Sequence, residues 1–116
     1  MIKITIKRQP DSREILQFTL HGHAGYADSG QDIVCSAVTA VSFGTVNSIE
    51  TLLDTKLQIE MEQKTGFLHC IVPTSRDEAT HDEATHEKVQ LLLESMVLTL
   101  ESIASEYGKY INIIFE

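Results

Sequence analysis

HGHAGYADSGQDIVCSA, from His21 to Ala37, decides the fold. Upstream of it, apolar residues fall on every second position, the period of a half-buried strand. Downstream they recur every three to four positions, the period of an amphipathic helix. Gly22, Gly25 and Gly30 keep the stretch itself out of regular structure. Within these seventeen residues lie two histidines, two aspartates and one of only two cysteines. A polar loop that joins a strand to a helix and delivers a cysteine to the helix start is a favourable place for chemistry.

The neighbouring patterns follow from that boundary. Ile2, Ile4 and Ile6 alternate with Lys3, Thr5 and Lys7, a first strand. Gln9-Pro10-Asp11-Ser12 is a turn, and Leu16, Phe18 and Leu20 alternate with Ile15, Gln17 and Thr19 in a second strand hairpinned to the first. Asp32 suits the N-cap of a helix from Ile33 to about Asp54, with Ile33, Ala37, Val41, Val46, Ile49 and Leu53 as its apolar stripe. Gly44 interrupts that stripe, where a missing side chain would allow close packing against a sheet or another chain. Leu57, Ile59 and Met61 mark a third strand, and Gln63 to Gly66 a turn. Phe67 to Val72 forms a fourth strand, apolar on both faces and so expected at the centre of the sheet.

Asp77 to His81 is then repeated as Asp82 to His86. A five-residue unit matches no helical period, so it reads as a local duplication that lengthens a loop or a helix start. Val89, Leu92, Leu93, Met96, Leu100, Ile103 and Tyr107 predict a long helix stopped at Gly108, and Ile111, Ile113 and Phe115 a closing strand. The order ββαββαβ predicts an α+β fold, a mostly antiparallel five-stranded sheet with two helices packed on one face, spanning residues 1–116 as a single domain.

Composition narrows the function. A net charge of −8, from 17 acids and 9 bases, argues against binding a nucleic-acid backbone and favours a basic partner. No apolar run is longer than three residues, the length of Leu91 to Leu93, which predicts no membrane span. The strand-like N-terminus lacks a signal peptide's apolar core, so a cytoplasmic location is expected. Cys35 and Cys70 form no CxxC and read as free thiols.

With Asp32 as N-cap, Cys35 falls in the first helical turn, where free amides and the helix dipole lower a thiol pKa while Asp32 opposes them. His23, just past the second strand, is its natural base for nucleophilic acyl transfer. The first helix amides, near Cys35 and Ser36, would serve as an oxyanion hole. Asp28 or Asp32 could orient the imidazole, and Thr39, one turn after Cys35, could support the site with its hydroxyl. Against these stand plainer readings: a buried structural cysteine, a solitary loop histidine, a threonine bonded to its own helix. His21, His23 and Cys35 could instead gather zinc, but no fourth ligand follows at a familiar spacing, and no cofactor is expected. Cys70, inside an apolar strand, reads as structural, and His81 and His86 as solvated loop residues.

Three segments together resemble the ribosomal-processing cysteine proteases, the Prp family (YsxB-like). They are Gly22-His23-Ala24, Gly30-x-Asp32-Ile33-Val34-Cys35 and Phe43-Gly44-x-Val46-Asn47, and the likeness covers essentially the whole chain. The resemblance implies that Cys35 is the nucleophile and His23 the general base. It implies that Ala24 to Gln31 is a flexible segment that orders around substrate. It further implies a homodimer whose partner is the basic N-terminal region of a large-subunit ribosomal protein, cleaved after an aromatic residue before ribosome assembly. Thr39 stands where the family more often carries Ser, and the hydroxyl is kept. The rival classes are a non-enzymatic ribosome-associated binding or assembly factor and a metal-binding module.

Overall fold

The computed structural model describes residues 1–28, 31–73 and 83–116. Along the chain run β1 (Ile2–Arg8), β2 (Ile15–His21), α1 (Ile33–Leu52), β3 (Gln58–Glu62), β4 (Phe67–Ile71), α2 (Glu83–Glu106) and β5 (Ile111–Phe115). The strands form one sheet in the order β3-β4-β2-β1-β5. Every pairing is antiparallel except that of β1 with β5. This is the α+β arrangement expected. The fourth strand lies inside the sheet, but β2 holds the middle position.

Register puts one set of side chains under the helices. Ile4 opposes Leu20, Ile6 opposes Phe18, and Phe18 opposes Cys70, so these residues share a face. They are buried against Val34, Val38, Val46 and Ile49 of α1 and Val89, Leu93, Met96 and Leu100 of α2. Lys3, Thr5, Lys7, Thr19 and His21 occupy the other face.

Two details of this packing differ from the periodic reading. The β1–β2 register shifts between Lys7, opposite Gln17, and Arg8, opposite Ile15. Leu16 is therefore an extra residue in β2, and the strand's parity flips across it. Ile15, not Leu16, reaches the core, at 1% exposure. In α1 the buried stripe is Val34, Val38, Ser42, Val46 and Ile49, rotated by one residue from the predicted start at Ile33, which is exposed. Gly44 lies on the exposed side, and a Cβ there would meet nothing within 4 Å. Within the chain, Gly44 therefore permits no close approach to the sheet.

The apolar-run criterion is also too strict. α1 is 20 residues long, and its mean hydropathy of 1.3 is enough, by length and composition alone, to cross a membrane. Of its residues, Val34, Val38, Ser42, Val46 and Ile49 are buried in the core, whereas the apolar Ile33 and Leu52 are exposed. The duplicated segment lies mostly outside the described residues. Its last histidine, His86, sits on α2 and pairs with Glu14, so it is not a solvated loop residue.

Candidate active site

The site forms where β2 ends, α1 begins and the β3–β4 turn folds back. Gly22 leaves the strand at φ +98°, and a Cβ there would lie 2.6 Å from the Met1 carbonyl oxygen. Only glycine fits that combination of conformation and contact. His23 follows, exposed, at the mouth of a cavity of about 420 Å³. Cys35 lines the same cavity, half-buried. Its walls are otherwise largely apolar, with Leu20, Val38, Phe43, Met61 and Phe67 prominent, and with Gly22, Thr39 and Glu62 also present.

Asp32 holds the head of α1. Its Oδ1 accepts from the amides of Val34 and Cys35, both at 3.0 Å, which is the N-cap read from the sequence. Its Oδ2 accepts from Tyr26 N–H at 3.1 Å, tying the preceding loop to the helix. Burial opposes the charge on Asp32, yet the amides of Cys35, Tyr26 and Ala27 together hold it below the usual carboxylate range. The Tyr26 ring meets Tyr110 and Tyr107 edge-on, with centroids at 5.2 and 5.9 Å, and so fastens the loop to the end of α2.

The same cap changes two expectations. The amides of Cys35 and Ser36 are engaged, by the Asp32 carboxylate and by the Asp32 carbonyl at 3.0 Å, so they form no ready oxyanion hole. The Cys35 thiol is also pushed up, not down. Burial is the largest cause, the Ala24 N–H pulls back part of it, and the Asp32 charge pushes further up. That Ala24 amide donates to Cys35 Sγ at 3.2 Å.

His23 Nε2 lies 3.0 Å from the carbonyl oxygen of Lys64 in the β3–β4 turn. Among the described residues no hydrogen bond joins His23 to Asp28 or Asp32; both Asp32 oxygens are taken by backbone amides. Ser36 is exposed and forms no part of the cavity wall. His21 packs edge-on against Phe67 at 6.1 Å and does not itself line the cavity. Among the described residues no three His, Cys, Asp or Glu side chains converge as metal ligands. Cys70 is a fully buried free thiol pushed up to about 12 by desolvation and by Glu50.

Sequence reasoning missed the contribution of the β3–β4 turn. Gln63 to Gly66 was legible as a turn, but nothing local reveals that it folds back onto His23. The apolar walls supplied by Met61 and Phe67 were read only as strand residues.

A cysteine at a capped helix start, sharing an apolar cavity with a histidine, points to the class of cysteine proteases. The model of the family described as cysteine protease Prp matches residues 1–112. The ribosomal processing cysteine protease Prp of Bacillus subtilis (strain 168) is 38% identical over 107 residues, covering 92% of this chain and 90% of that protein. The chain belongs to the Prp family of cysteine proteases. Among solved structures, the S. aureus ribosomal processing protease Prp with a covalently linked product peptide superposes with a TM-score of 0.85 at 28% identity, covering 100% of both chains. The same S. aureus protease with a substrate peptide superposes at 0.80 and 27% identity, again covering 100% of both chains.

Proposed function

We propose that this protease removes the N-terminal extension of a large-subunit ribosomal protein before ribosome assembly, with Cys35 as nucleophile and His23 as general base. The observation that carries this reading is that both side chains line one cavity whose other walls are mostly apolar. In the reaction the Cys35 Sγ–H proton passes to the His23 imidazole as Sγ bonds to the scissile carbonyl carbon. The C–N bond then breaks, and the imidazolium returns the proton to the leaving amine. Water, deprotonated by His23, cleaves the resulting thioester and regenerates the thiol.

The apolar walls suit an aromatic side chain on the acyl side of the cut, the residue type expected at the junction. Thr39 and Gly22 line the cavity where substrate would lie, whereas Asp32 acts through the helix cap and the loop. Ser36, exposed and outside the cavity wall, has no assigned part in this reading. The acidic chain, with Glu62 in the cavity wall, favours the basic N-terminal region of a ribosomal protein. A cytoplasmic homodimer is part of the same reading.

Incubation with a peptide spanning the extension junction tests it. One cut after the aromatic residue is expected, with loss of product in Cys35→Ala and in His23→Ala. Undiminished cleavage by Cys35→Ala would overturn the assignment. Binding of the peptide with no product from the unaltered protein would favour a docking role at this site.

A further inference from the structure

We infer that the β3–β4 turn is the orienting element of the general base, with the backbone carbonyl of Lys64 fixing His23 as its Nε2–H tautomer. This rests on the proposed role of His23. A carbonyl oxygen can only accept a hydrogen bond, and Nε2 stands 3.0 Å from the Lys64 carbonyl oxygen. In a neutral imidazole the proton must therefore sit on Nε2, which leaves the lone pair on Nδ1. Nδ1 is then the atom that takes the proton from Cys35 Sγ and later yields it to the leaving amine. Throughout that transfer Nε2 keeps its proton, and the Lys64 carbonyl faces the imidazolium that forms. In serine proteases a carboxylate holds the tautomer and steadies the cation. Here a main-chain oxygen is placed to do both.

The fold positions this carbonyl through a pair of glycines. Leu20 opposes Leu68 in the β2–β4 ladder, so two residues further on Gly22 comes opposite Gly66. Gly22 N–H donates to the Thr65 carbonyl at 3.2 Å, and Gly66 N–H to the Gln63 carbonyl at 3.2 Å, which closes the turn onto the strand's exit. A Cβ on Gly66 would lie 2.3 Å from the Gly22 carbonyl oxygen and 3.1 Å from His23 Cε1. Gly66 also has φ +65°. A side chain here would drive apart the two backbones that bring Lys64 and His23 together. Gly66 is thus a positioning residue, acting on the reaction through the orientation of His23.

The test is a long-range 1H–15N spectrum of the full chain labelled with 15N-histidine, at alkaline pH where imidazoles are neutral, with the His23 signals identified by their loss in His23→Gln. The expected result is a proton on Nε2 and a bare Nδ1. A dominant Nδ1–H tautomer in a preparation that still cuts the junction peptide overturns the inference and leaves the nucleophile assignment standing. Conversely, cleavage by Cys35→Ala removes the catalytic reading whatever the tautomer. Gly66→Ala supplies the second measurement. Its kcat is expected to fall about 10- to 100-fold with KM changed less than about threefold, the usual effect of losing an orienting contact. Its His23 signals should move toward a mixture of tautomers. A folded Gly66→Ala with unchanged kcat and an unchanged tautomer would also overturn the inference.

Discussion

Cys35 illustrates how a single position can be read correctly for its place and incorrectly for its electrostatics. Its location at the third helical residue was legible from Asp32, whose spacing matches an N-cap. The direction of its pKa was not, because burial comes from the cavity walls and from the loop that covers the sulfur. A raised thiol pKa means less thiolate at neutral pH. Alkylation of Cys35 by iodoacetamide, followed against pH, is therefore expected to inflect above the ordinary thiol value of about 8.5. Asp32→Asn, which removes the charge and keeps a capping oxygen, should move the inflection to lower pH. An inflection well below 8.5 in the unaltered protein would contradict the burial argument. Cys70 makes a separate prediction. Its folded pKa of about 12 lies above the unfolded one, so its neutral form contributes stability that is complete below the unfolded value. As pH rises from the unfolded toward the folded value that stability is lost, by at most about 1.4 kcal/mol per pH unit. Urea midpoints measured from pH 8 to 11 should fall accordingly, and Cys70→Ala should flatten the slope. Ser42 is a third case. Its hydroxyl is buried with no hydrogen-bond partner among the described residues, so Ser42→Ala should be neutral or stabilise by up to about 1 kcal/mol in the same titration.

At the scale of elements, type and order were legible and facing was less so. All five strands and both helices fall where the periods put them. Facing went astray in β2, where Ile15 and Leu16 are both apolar and alternation cannot say which one is the extra residue of a bulge. It also went astray in α1, where both Ile33 and Val34 fit the start of an apolar stripe. Only the neighbouring sheet decides that Val34 faces inward. The bulge gives a contrast that urea denaturation can measure. Ile15→Ala should destabilise by about 2–4 kcal/mol, as for a fully buried aliphatic side chain, and Leu16→Ala by clearly less. Equal losses would contradict the register. The cap of α1 belongs to this scale too. Asp32→Ala leaves three amides without their acceptor and should lower stability by about 1–2 kcal/mol, with Asp32→Asn recovering most of it.

The molecule as a whole carries charge and hydropathy that must be read together with its packing. The net charge of −8 favours the basic substrate proposed above. Association should be steered by that charge and weakened by salt. For a basic junction peptide, kcat/KM is expected to fall severalfold between 50 and 500 mM NaCl at roughly constant kcat, since screening acts on encounter rather than on the thioester chemistry. A salt-independent kcat/KM would remove the electrostatic part of the proposal. Hydropathy has the opposite lesson. The value for α1 taken alone would admit a membrane span, and the core takes up one stripe of it, Val34, Val38, Val46 and Ile49.

Local chemistry in the sequence determined the elements, the Asp32 cap, the strand-to-helix boundary and the two residues most suited to nucleophile and base. Each follows from residues near one another in the chain, through a repeat period, a capping oxygen or a glycine. The tertiary structure alone decided that His23 and Cys35 share a cavity, that Cys35 is shielded and raised in pKa, and that Lys64 presents its carbonyl to His23. Those facts depend on the pairing of β2 with β4 across some fifty residues of sequence. Strand register is set by packing of whole faces against the helices, which no local period encodes.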